Sequence, residues 1–396
     1  MTGLTQDPAR HDAGRIDRWV DLDIETAIAR LGEAWTRLSD TAEAPPTADP
    51  LWQRIYWRAF RDHGGDVRVH ALCADDGVAA IVPVRLRGRI LRQWASDVNA
   101  HAPYRTFLLA RAPHVAARVL DHLMSSAHML DLGPAGTEAP ETDALVSAAQ
   151  WRKLRVARDA RGADAVVDLP SSWAELRQAL SPKLVGNTRR ALRHLRDEGR
   201  LDFAILTGGE QLERALEECF ALETLGWKGR HGSPIRSSPD TLQFYSELAD
   251  DASSAGRFAL YTLRLNGALI AFEYCLRHNG RLDLLKQSYH PAFGRHSPGN
   301  VLRVLLLQHE IATGEISSYH IGLVSEWKQR WATRLEPRCH VRIYDPGVRG
   351  TLAYLVKSWL PAAARRQPAV RATARWLLER LRQIGFLMLA VVEFAC

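Results

Sequence analysis

The stretch RLDLLKQSYHPAFGRHSPGNVLRVLLLQHEIATG, residues 281–314, is the one around which we organise the interpretation of the sequence. Leu282–Tyr289 is predicted to form a short strand, which leads through a loop into an apolar helix beginning at Pro298. Ser297 suits the N-cap position, because its side-chain oxygen can accept a free amide of the first turn. Pro298 suits the first helical position, where its missing N–H costs nothing. This order predicts a unit of α/β structure.

The start of this helix is a candidate anion site. Its free amides and the positive end of its dipole favour a bound phosphate, and Arg295 and His296 add positive charge. The stretch is not a Walker A loop, since no Gly-Lys-Ser/Thr follows a glycine-rich turn. It is not a dinucleotide fingerprint either, since the three-glycine spacing is absent. An ordinary capped core helix is the alternative.

Composition describes an ordinary globular chain. Its 396 residues suggest two domains, and 46% hydrophobic and 24% charged residues are usual values. The formal charge of +7 indicates a modest preference for anionic partners. Five scattered cysteines without a C-x-x-C pair argue against a disulfide framework or a zinc site. The polar N-terminus shows no signal peptide, so we expect a cytoplasmic protein.

The longest apolar run lies at the C-terminus, from Ile384 to Cys396. Its 13 residues, interrupted by Glu393, are fewer than the roughly 20 that a membrane-spanning helix needs. Arginines precede this run, and so does Trp376. The tail is expected either to pack on its own chain or a second copy, or to lie on a membrane surface.

Two predicted hairpins reveal an internal repeat. When Gly77 is aligned with Gly267, HALCADDGVAAIVPV falls on LYTLRLNGALIAFEY without a gap, and each hairpin follows a predicted helix. Such repetition predicts two copies of one module. Only the second copy has the Ser-Pro-Gly helix start, so the first is expected to lack a cofactor site. The predicted segments are a disordered N-terminus at 1–15, the two modules at 16–170 and 171–345, and a helical tail at 346–396.

A basic helix is predicted to open the second module, over residues 183–200. Two interpretations are open, a solvated basic face or a groove for phosphates or RNA. No aromatic residues alternate with the basic ones, which argues against a nucleic-acid surface.

Five stretches of the second half, between about residues 180 and 335, resemble the GNAT acyltransferases in one order along the chain. They are similar to the branch of CelD-type proteins linked to polysaccharide biosynthesis, which are tandem GNAT folds related to the Fem-type peptidyltransferases. The chain departs from that pattern at His320, where an aspartate is common, and at Trp327, where a tyrosine is usual. The stretches are SPKLVGNTRRALRHLRDEG, LGWKGRHGS, LRLNGALIAFEY, YHPAFGRHSPGNVL and EWKQRWA.

The resemblance implies an α/β fold of two tandem GNAT-like modules with a helical C-terminal tail. It also implies acyl-CoA as co-substrate, acetyl-CoA first, held between two splayed parallel strands without a metal. The pyrophosphate would lie on the loop before the helix and the pantetheine along the strand. The residues implied for the co-substrate are Gln287, Ser288, Gly294, Arg295, His296, Ser297, Gly299 and Asn300. Those expected to hold the acceptor are Trp227, Lys228, Arg230, His231, Trp327 and Lys328.

Transfer of an acyl group to an amine benefits from a general base, because an amine with a pKa of about 10.4 is almost fully protonated at neutral pH. Glu273 and Asp283 lie within strands predicted to be buried, and each is either a base or the partner of an arginine such as Arg264 or Arg277. A bulge near residues 287–289 would aim a strand amide at the carbonyl.

Two further side chains are candidates for proton transfer. His320 is expected at a strand end beside the cleft, and the alternative is a core histidine. Tyr289 is placed to protonate the leaving thiolate, and the alternative is simple packing.

The expected activity is transfer of an acyl group from acyl-CoA to an amine on an amino sugar, amino acid or metabolite, by direct attack in a ternary complex. One rival is a Fem-like transferase that uses charged tRNA, the only case in which a nucleic-acid partner is expected. The other is a non-catalytic GNAT-like scaffold in polysaccharide assembly. Contact of the C-terminal helix with a membrane or with a second copy stays open.

Overall fold

A computed structural model describes residues 18–60, 67–74, 77–96, 101, 107–137, 139–225 and 235–366. The chain divides into two compact units. Unit 1 comprises Met1–Pro50, Arg61–Arg161 and Pro337–Cys396, and unit 2 comprises Leu51–Phe60 and Gly162–Glu336. The predicted disordered segment 1–15 and the tail beyond residue 366 lie outside the described residues.

Unit 1 is built on a sheet with strand order β1-β2-β3-β4-β6-β13, and β5 pairs with β3. Its strand pairs are antiparallel except β4 with β6, which are parallel. Apolar residues of α3 and α4 form a core with the sheet. Its elements are β1 Arg18–Leu22, α1 Ile24–Thr41, β2 Val67–Ala74, β3 Gly77–Arg87, β4 Gln93–Ala95, β5 Leu108–Leu109, α3 Pro113–Met124, β6 Met129–Gly136, α4 Pro140–Trp151, α11 Val348–Tyr354 and α12 Leu360–Arg366.

Unit 2 is built on a sheet with strand order β7-β12-β11-β10-β9-β8. Its strand pairs are antiparallel except β11 with β12, which are parallel and joined through α9. Strands β7 (Arg155–Asp168) and β13 (Arg334–Tyr344) carry the chain from one unit to the other. Its other elements are α2 Pro50–Ala59, α5 Trp173–Ala179, α6 Pro182–Glu198, β8 Leu201–Leu206, α7 Glu210–Leu225, α8 Pro239–Ser254, β9 Phe258–Leu265, β10 Ala268–His278, β11 Arg281–Tyr289, α9 Pro298–Thr313, β12 Ser318–Leu323 and α10 Glu326–Gln329.

The predicted repeat is visible in both units. Each contains an antiparallel hairpin, β2–β3 or β9–β10, and one parallel strand pair with a helix between its strands. The turn of the second hairpin has positive φ at Asn266 (51°) and Gly267 (84°), as a two-residue type I′ turn requires. The first hairpin pairs Ala74 with Gly77 across residues 75 and 76, which lie outside the described residues.

The strand–loop–helix at residues 281–314 forms as predicted. Helix α9 buries Val301, Leu302, Leu306 and Leu307 in the core of unit 2, and this spacing gives one apolar face at 3.6 residues per turn. The helix ends at Gly314, whose left-handed backbone (φ 70°) suits a glycine.

Both predicted modules have boundaries that differ from those of the two units. Helix α2 and residues 162–170 fall in unit 2, although residues 16–170 were expected to form one module. Trp52 and Phe60 pack on Phe244 of α8 with ring centroids 5.2 and 5.3 Å apart, and Arg54 forms an ion pair with Asp251. The second difference is that residues 337–345 belong to unit 1. Hydrophobic periodicity identifies a helix but not the sheet that covers its apolar face.

Candidate functional site

The two parallel strands of unit 2 separate after three residues. β11 pairs with β12 through Arg281↔Ser318, Leu282↔Tyr319 and Asp283↔His320. Beyond this point β11 stays paired with β10 as far as Tyr289, and β12 with β7 as far as Leu323. Among the described residues, no ladder pair joins 284–289 to 321–323. The facing backbone edges are therefore free to pair with an extended ligand.

A β-bulge lies at this separation, two residues earlier than predicted. The register passes from Tyr274↔Lys286 to Cys275↔Leu284, so Leu285 is the extra residue of β11. The expected bulge at residues 287–289 was wrong in position. A bulge increases local twist, and this one coincides with the point where β11 leaves β12.

The start of α9 is not capped as predicted. Ser297 has a left-handed backbone (φ 46°, ψ 53°) and makes no side-chain cap hydrogen bond. It also ends the 3-10 turn Pro291–His296, and this excludes the extended backbone from which a cap side chain reaches the first-turn amides. Its carbonyl accepts the amides of Asn300 (2.9 Å) and Val301 (3.2 Å) instead. Within the described part of the chain, the Gly299 amide and the Ser297 hydroxyl have no hydrogen-bond partner.

Arg295 and His296 do not face an open anion site. Their side chains contact Glu198 at the end of α6, at 3.1 and 2.8 Å respectively. Arg295 Nε also donates to His296 Nε2 at 2.7 Å. These contacts fasten the loop before α9 to α6, so the carboxylate of Glu198 offsets the charge that was expected to attract a phosphate.

A cavity of about 450 Å³ lies where α6 and α9 begin. Ser297 and Asn300 are the two predicted co-substrate residues that line it; Gln287, Ser288, Gly294 and Gly299 do not. Lys183 makes no ion pair with any described residue, and Arg330 pairs with Glu326. Two helix N-termini and two cations make the cavity suited to an anion. The lining is Ser181, Lys183, Leu184, Asn187, Thr188, Ser297, Asn300 and Arg330.

A largely apolar groove of about 650 Å³ adjoins this cavity. The two share Leu184 and Thr188. Trp173 and Trp331 lie in the groove wall together with Arg177 and Arg189. An anion bound in the cavity therefore has an apolar surface beside it. Neither space is lined by Gln287 or Ser288.

Glu273 belongs to a buried ion pair, with Arg303 of α9 as its partner. Arg303 also donates to Gln287 Oε1 at 2.7 Å, and the Tyr319 hydroxyl donates to Glu273 Oε2 at 2.5 Å. Burial raises the pKa of Glu273, although Arg303 acts in the opposite direction. Of the two interpretations of Glu273 from the sequence, a general base or the partner of an arginine, its contacts fit the second. The arginine is Arg303. Arg264 pairs with Glu218 instead.

Two tryptophans of the EWKQRWA segment enclose Arg303. Its guanidinium lies 4.6 Å from the ring centroid of Trp327 and 5.5 Å from that of Trp331. Trp331 also donates from Nε1 to Asn300 Oδ1 at 3.3 Å. Trp327, expected to hold the acceptor, therefore stacks on a buried cation. The segment links the Glu273 network to an Asn300 side chain that lines the anion cavity.

The other predicted proton-transfer residues occupy different positions. Asp283 is buried and binds Arg281 at 2.7 and 2.9 Å. Tyr289 is 46% exposed at the end of β11. Its ring lies beside Gly294 and Gly299, which places it at the loop before α9. Six residues separate it from Asp283, roughly 20 Å of strand.

His320 is a buried histidine at the point of strand separation, inside β12 rather than at its end. Its Nε2 lies 3.1 Å from Ser318 Oγ, and its Nδ1 is 4.0 Å from Glu336. Burial, with Arg281 nearby, lowers the pKa of His320 to about 3. The imidazole is therefore neutral at pH 7, and a group with this pKa is a weak general base.

We expect His320 to make the fold sensitive to acid. Its folded pKa of about 3 lies below the ordinary 6.5, so the unfolded chain takes up the proton first. The stability it contributes is complete above pH 6.5 and is lost as the pH falls towards 3. Between pH 7 and 5 the loss amounts to about 2 kcal/mol. His320→Asn should show a smaller loss in urea unfolding, whereas His309→Asn, at a side chain that is 41% exposed, should match the parent. Equal slopes for H320N and the parent would contradict this.

Four of the predicted acceptor residues, Trp227, Lys228, Arg230 and His231, lie outside the described residues. Lys328 lies beside Trp327, with its Nζ 5.6 Å from the ring centroid. The prediction omitted five residues that line the cavity or belong to the Glu273 network: Lys183, Asn187, Arg303, Tyr319 and Arg330. A buried carboxylate at Glu273 indicated that a cation lies nearby. The sequence did not identify Arg303 as that cation, because Arg303 lies in an apolar helix 30 residues further along the chain.

Comparisons with known proteins identify a domain in the second half of the chain and relate its fold to solved structures. Residues 182–329 match the family model described as an acetyltransferase (GNAT) domain. No curated protein matched the chain. The structure resembles FemX, with a TM-score of 0.57 and 10% identity over 85% of this chain and 99% of that one.

Two other solved structures resemble the chain. The C-terminal domain (DUF2156) of a putative lysylphosphatidylglycerol synthetase from Agrobacterium fabrum has a TM-score of 0.51 and 16% identity, covering 84% of this chain and 96% of that one. A tandem GNAT protein from the clavulanic acid biosynthesis pathway has a TM-score of 0.42 and 13% identity, covering 84% and 99%. The chain thus has a mixed α/β fold of two tandem GNAT-like modules, and its second half contains a GNAT-type domain.

Proposed function

We propose that the protein is an N-acyltransferase that moves an acyl group, acetyl first, from acyl-CoA to an amine. The observation that carries this proposal is the separation of β11 from β12 after Asp283, in the strand that leads through the loop to the start of α9. It leaves strand edges to which an extended amide chain can bond, and a cavity that suits phosphates lies where the following helix begins. The acceptor class we propose is an amino sugar, an amino acid or a metabolite, and the CelD-like branch would place it in polysaccharide biosynthesis.

The cavity at the starts of α6 and α9 fits the phosphates of acyl-CoA. Ser297 Oγ and Lys183 line it and supply donors that no described residue occupies. Arg330 adds a second cation. Charge-assisted hydrogen bonds of this kind are the strong ones. The bound thioester supplies an activated acyl group, and the chain's task is to hold and orient it.

The residues at the strand separation have orienting roles in this proposal. Glu273 and Arg303 neutralise each other inside the core, so the pair holds Gln287 in place rather than exchanging protons with an acceptor. The neutral imidazole of His320 can accept a hydrogen bond from an amine at the separation point. The amine nitrogen bonds to the thioester carbonyl carbon, the bond from that carbon to the CoA sulfur breaks, and the amine proton passes through water to the leaving thiolate. An amide at the Leu285 bulge would stabilise the carbonyl oxygen as its charge develops.

A Fem-like transferase that uses charged tRNA is a second candidate, and a feature of α6 favours it. Its residues Lys183, Arg189, Arg193 and Arg196 are exposed and form no ion pair with described residues. A row of free cations along one helix suits a phosphate backbone. A non-catalytic scaffold in polysaccharide assembly is the remaining alternative, and it requires neither donor.

Titration of the full chain with each donor tests the proposal. Thermal shift and calorimetry would be run with CoA, acetyl-CoA, longer acyl-CoAs and charged tRNA. Stabilisation by CoA and acetyl-CoA, together with release of CoA when amines are added, is the expected result. Stabilisation by charged tRNA alone would contradict the acyl-CoA proposal and support the Fem-like transferase. No response to any of these ligands would support the non-catalytic scaffold.

A further inference from the structure

The apolar groove beside the anion cavity contains positive charge but, among the described residues of its lining, no carboxylate. Arg177 and Arg189 lie in this lining and are exposed. Neither of them forms an ion pair with a described residue. The groove volume of about 650 Å³ falls within the range of small-molecule sites, roughly 300–1,000 Å³. An anion with an apolar body would match both the charge and the walls of this groove.

The walls of the groove are formed mainly by apolar side chains of α6 and α9. Trp331 is only 1% exposed and still lines the groove, which therefore reaches the core of unit 2. The apolar side chains nearer the opening are left partly in contact with water, and an apolar ligand would cover them favourably. These half-buried side chains are Leu184, Val185, Leu192 and Val304.

Gly186 widens the groove in the middle of α6. A Cβ atom at this position would meet no heavy atom of another part of the structure within 4 Å. No neighbouring group therefore requires a glycine here, although glycine inside a helix is less favourable than alanine. The effect of Gly186 in the folded chain is to leave the groove open at this point.

The groove is long and narrow. Its lining follows α6 from Pro182 to Leu192, which is roughly 15 Å at a rise of about 1.5 Å per residue. An extended alkyl chain of about 12 carbons has this length at ordinary bond lengths. A volume of about 650 Å³ over that distance leaves less width than the roughly 10–12 Å that a helix with its side chains needs. The shape therefore suits an alkyl chain better than a helix of another protein or of a second copy.

We propose that this groove binds a single-chain anionic amphiphile, which is an alkyl chain with a carboxylate or phosphate head. The chain would lie between α6 and α9 and pass over Gly186. Arg177 and Arg189 would bind the head, because guanidinium groups bind both kinds of anion with paired hydrogen bonds. The groove and the anion cavity share Leu184 and Thr188 but no cation, so the amphiphile and coenzyme A can be bound at the same time.

Calorimetry with the full-length protein tests this proposal without any acyl donor. Laurate and dodecyl phosphate carry the two heads on the same chain, and dodecyltrimethylammonium and octyl phosphate serve as comparisons, all below their micelle concentrations. At least one of the two anionic 12-carbon probes is expected to bind, and their affinities show which head is preferred. The cationic probe should bind about 10-fold more weakly or less, because the groove holds only positive charge. Octyl phosphate should lose about 10-fold or more, because fewer methylene groups are buried.

Gly186→Leu is expected to weaken binding of the anionic probe about 10-fold or more by filling the groove. The variant should fold, since the added side chain enters open space and leucine is the better helix former. Gly186→Ala is its matched control, because one methyl group leaves most of the groove free, and it should bind within about twofold of the parent. Thermal melting of each variant checks that the fold is retained.

A second pair of variants tests the charge. Arg177→Gln/Arg189→Gln should weaken binding of the anionic probe about 10-fold or more, because hydrogen bonds to charged groups are the stronger ones. Arg193→Gln is the matched control, since Arg193 is exposed on the same helix and lines neither space, and it should bind like the parent.

The proposal would be overturned if neither anionic probe bound, if the cationic probe bound equally well, or if G186L bound like the parent. Added coenzyme A is expected to change the affinity for the probe less than about twofold. Displacement of the probe by coenzyme A, with loss of coenzyme A binding in G186L, would assign the groove to the co-substrate and also overturn the proposal. Failure of coenzyme A to bind at all would contradict the proposed transferase function but not this site.

Discussion

Arg303→Met is expected to lower the free energy of unfolding by about 3–5 kcal/mol, because it leaves the buried carboxylate of Glu273 without its cation. Both side chains are almost fully buried. The change also removes the hydrogen bond to Gln287 and the cation that lies on Trp327 and Trp331. Urea unfolding followed by tryptophan fluorescence measures the loss directly, since two tryptophans contact the altered side chain.

The double variant Arg303→Met/Glu273→Gln separates the ion pair from simple packing. Without the carboxylate no uncompensated charge is left, so at least half of the lost stability should return. Arg200→Met is the matched control, since Arg200 is 82% exposed in its pair with Asp202, and exposed pairs contribute about 0–1 kcal/mol. A double variant as unstable as R303M would show that volume and stacking, rather than charge, hold this part of unit 2.

Lys183→Gln is expected to weaken CoA binding about 10-fold or more, because hydrogen bonds to charged groups contribute about 1.5–3 kcal/mol. Lys183 lines the cavity beside Ser297 and Asn300 and has no carboxylate partner among the described residues. Arg330→Gln should have a smaller effect, since Glu326 already offsets part of its charge. Calorimetry with CoA gives both affinities, and dephospho-CoA shows whether the 3′-phosphate is the group bound.

Arg193→Gln provides the control on the same helix. Arg193 is exposed and lines neither cavity, so its loss should change CoA affinity less than about twofold if the phosphates are bound at one place. Equal losses for K183Q and R193Q would contradict a local site. If the same two variants instead weakened charged-tRNA binding equally, with a steep dependence on salt, the Fem-like candidate would be favoured.

Much of the fold could be predicted because it depends on local patterns. The hairpin turn at Gly267, the Leu282–Tyr289 strand and the helix from Pro298 have the residues that their backbones require, so their positions were confirmed. The repeated hairpin predicted two modules for the same reason. Helix α2 shows the limit, since its aromatic face fits equally well on either sheet and only the packing on Phe244 shows which it joins.

The position of the candidate site along the chain could be predicted, but its backbone conformation and side-chain contacts could not. Ser297 met the sequence preference for an N-cap, yet the preceding 3-10 turn gives it a left-handed backbone that prevents side-chain capping. Arg295 and His296 lie in the predicted loop, but both side chains contact Glu198, which lies almost 100 residues earlier in the chain. Side-chain partners at such separations are set by the fold rather than by spacing.

Local sequence patterns were enough to predict the hairpin repeat and the strand–loop–helix at residues 281–314, and they carried the resemblance to GNAT acyltransferases, because turn chemistry, helix starts and hydrophobic period are properties of neighbouring residues. Assembly of the fold sets the pairing of Glu273 with Arg303, the separation of β11 from β12 after Asp283, and the position of Lys183 beside Ser297. Each of these brings together residues far apart in the chain. Burial and charge pairing across such distances arise only when the sheet and its helices assemble.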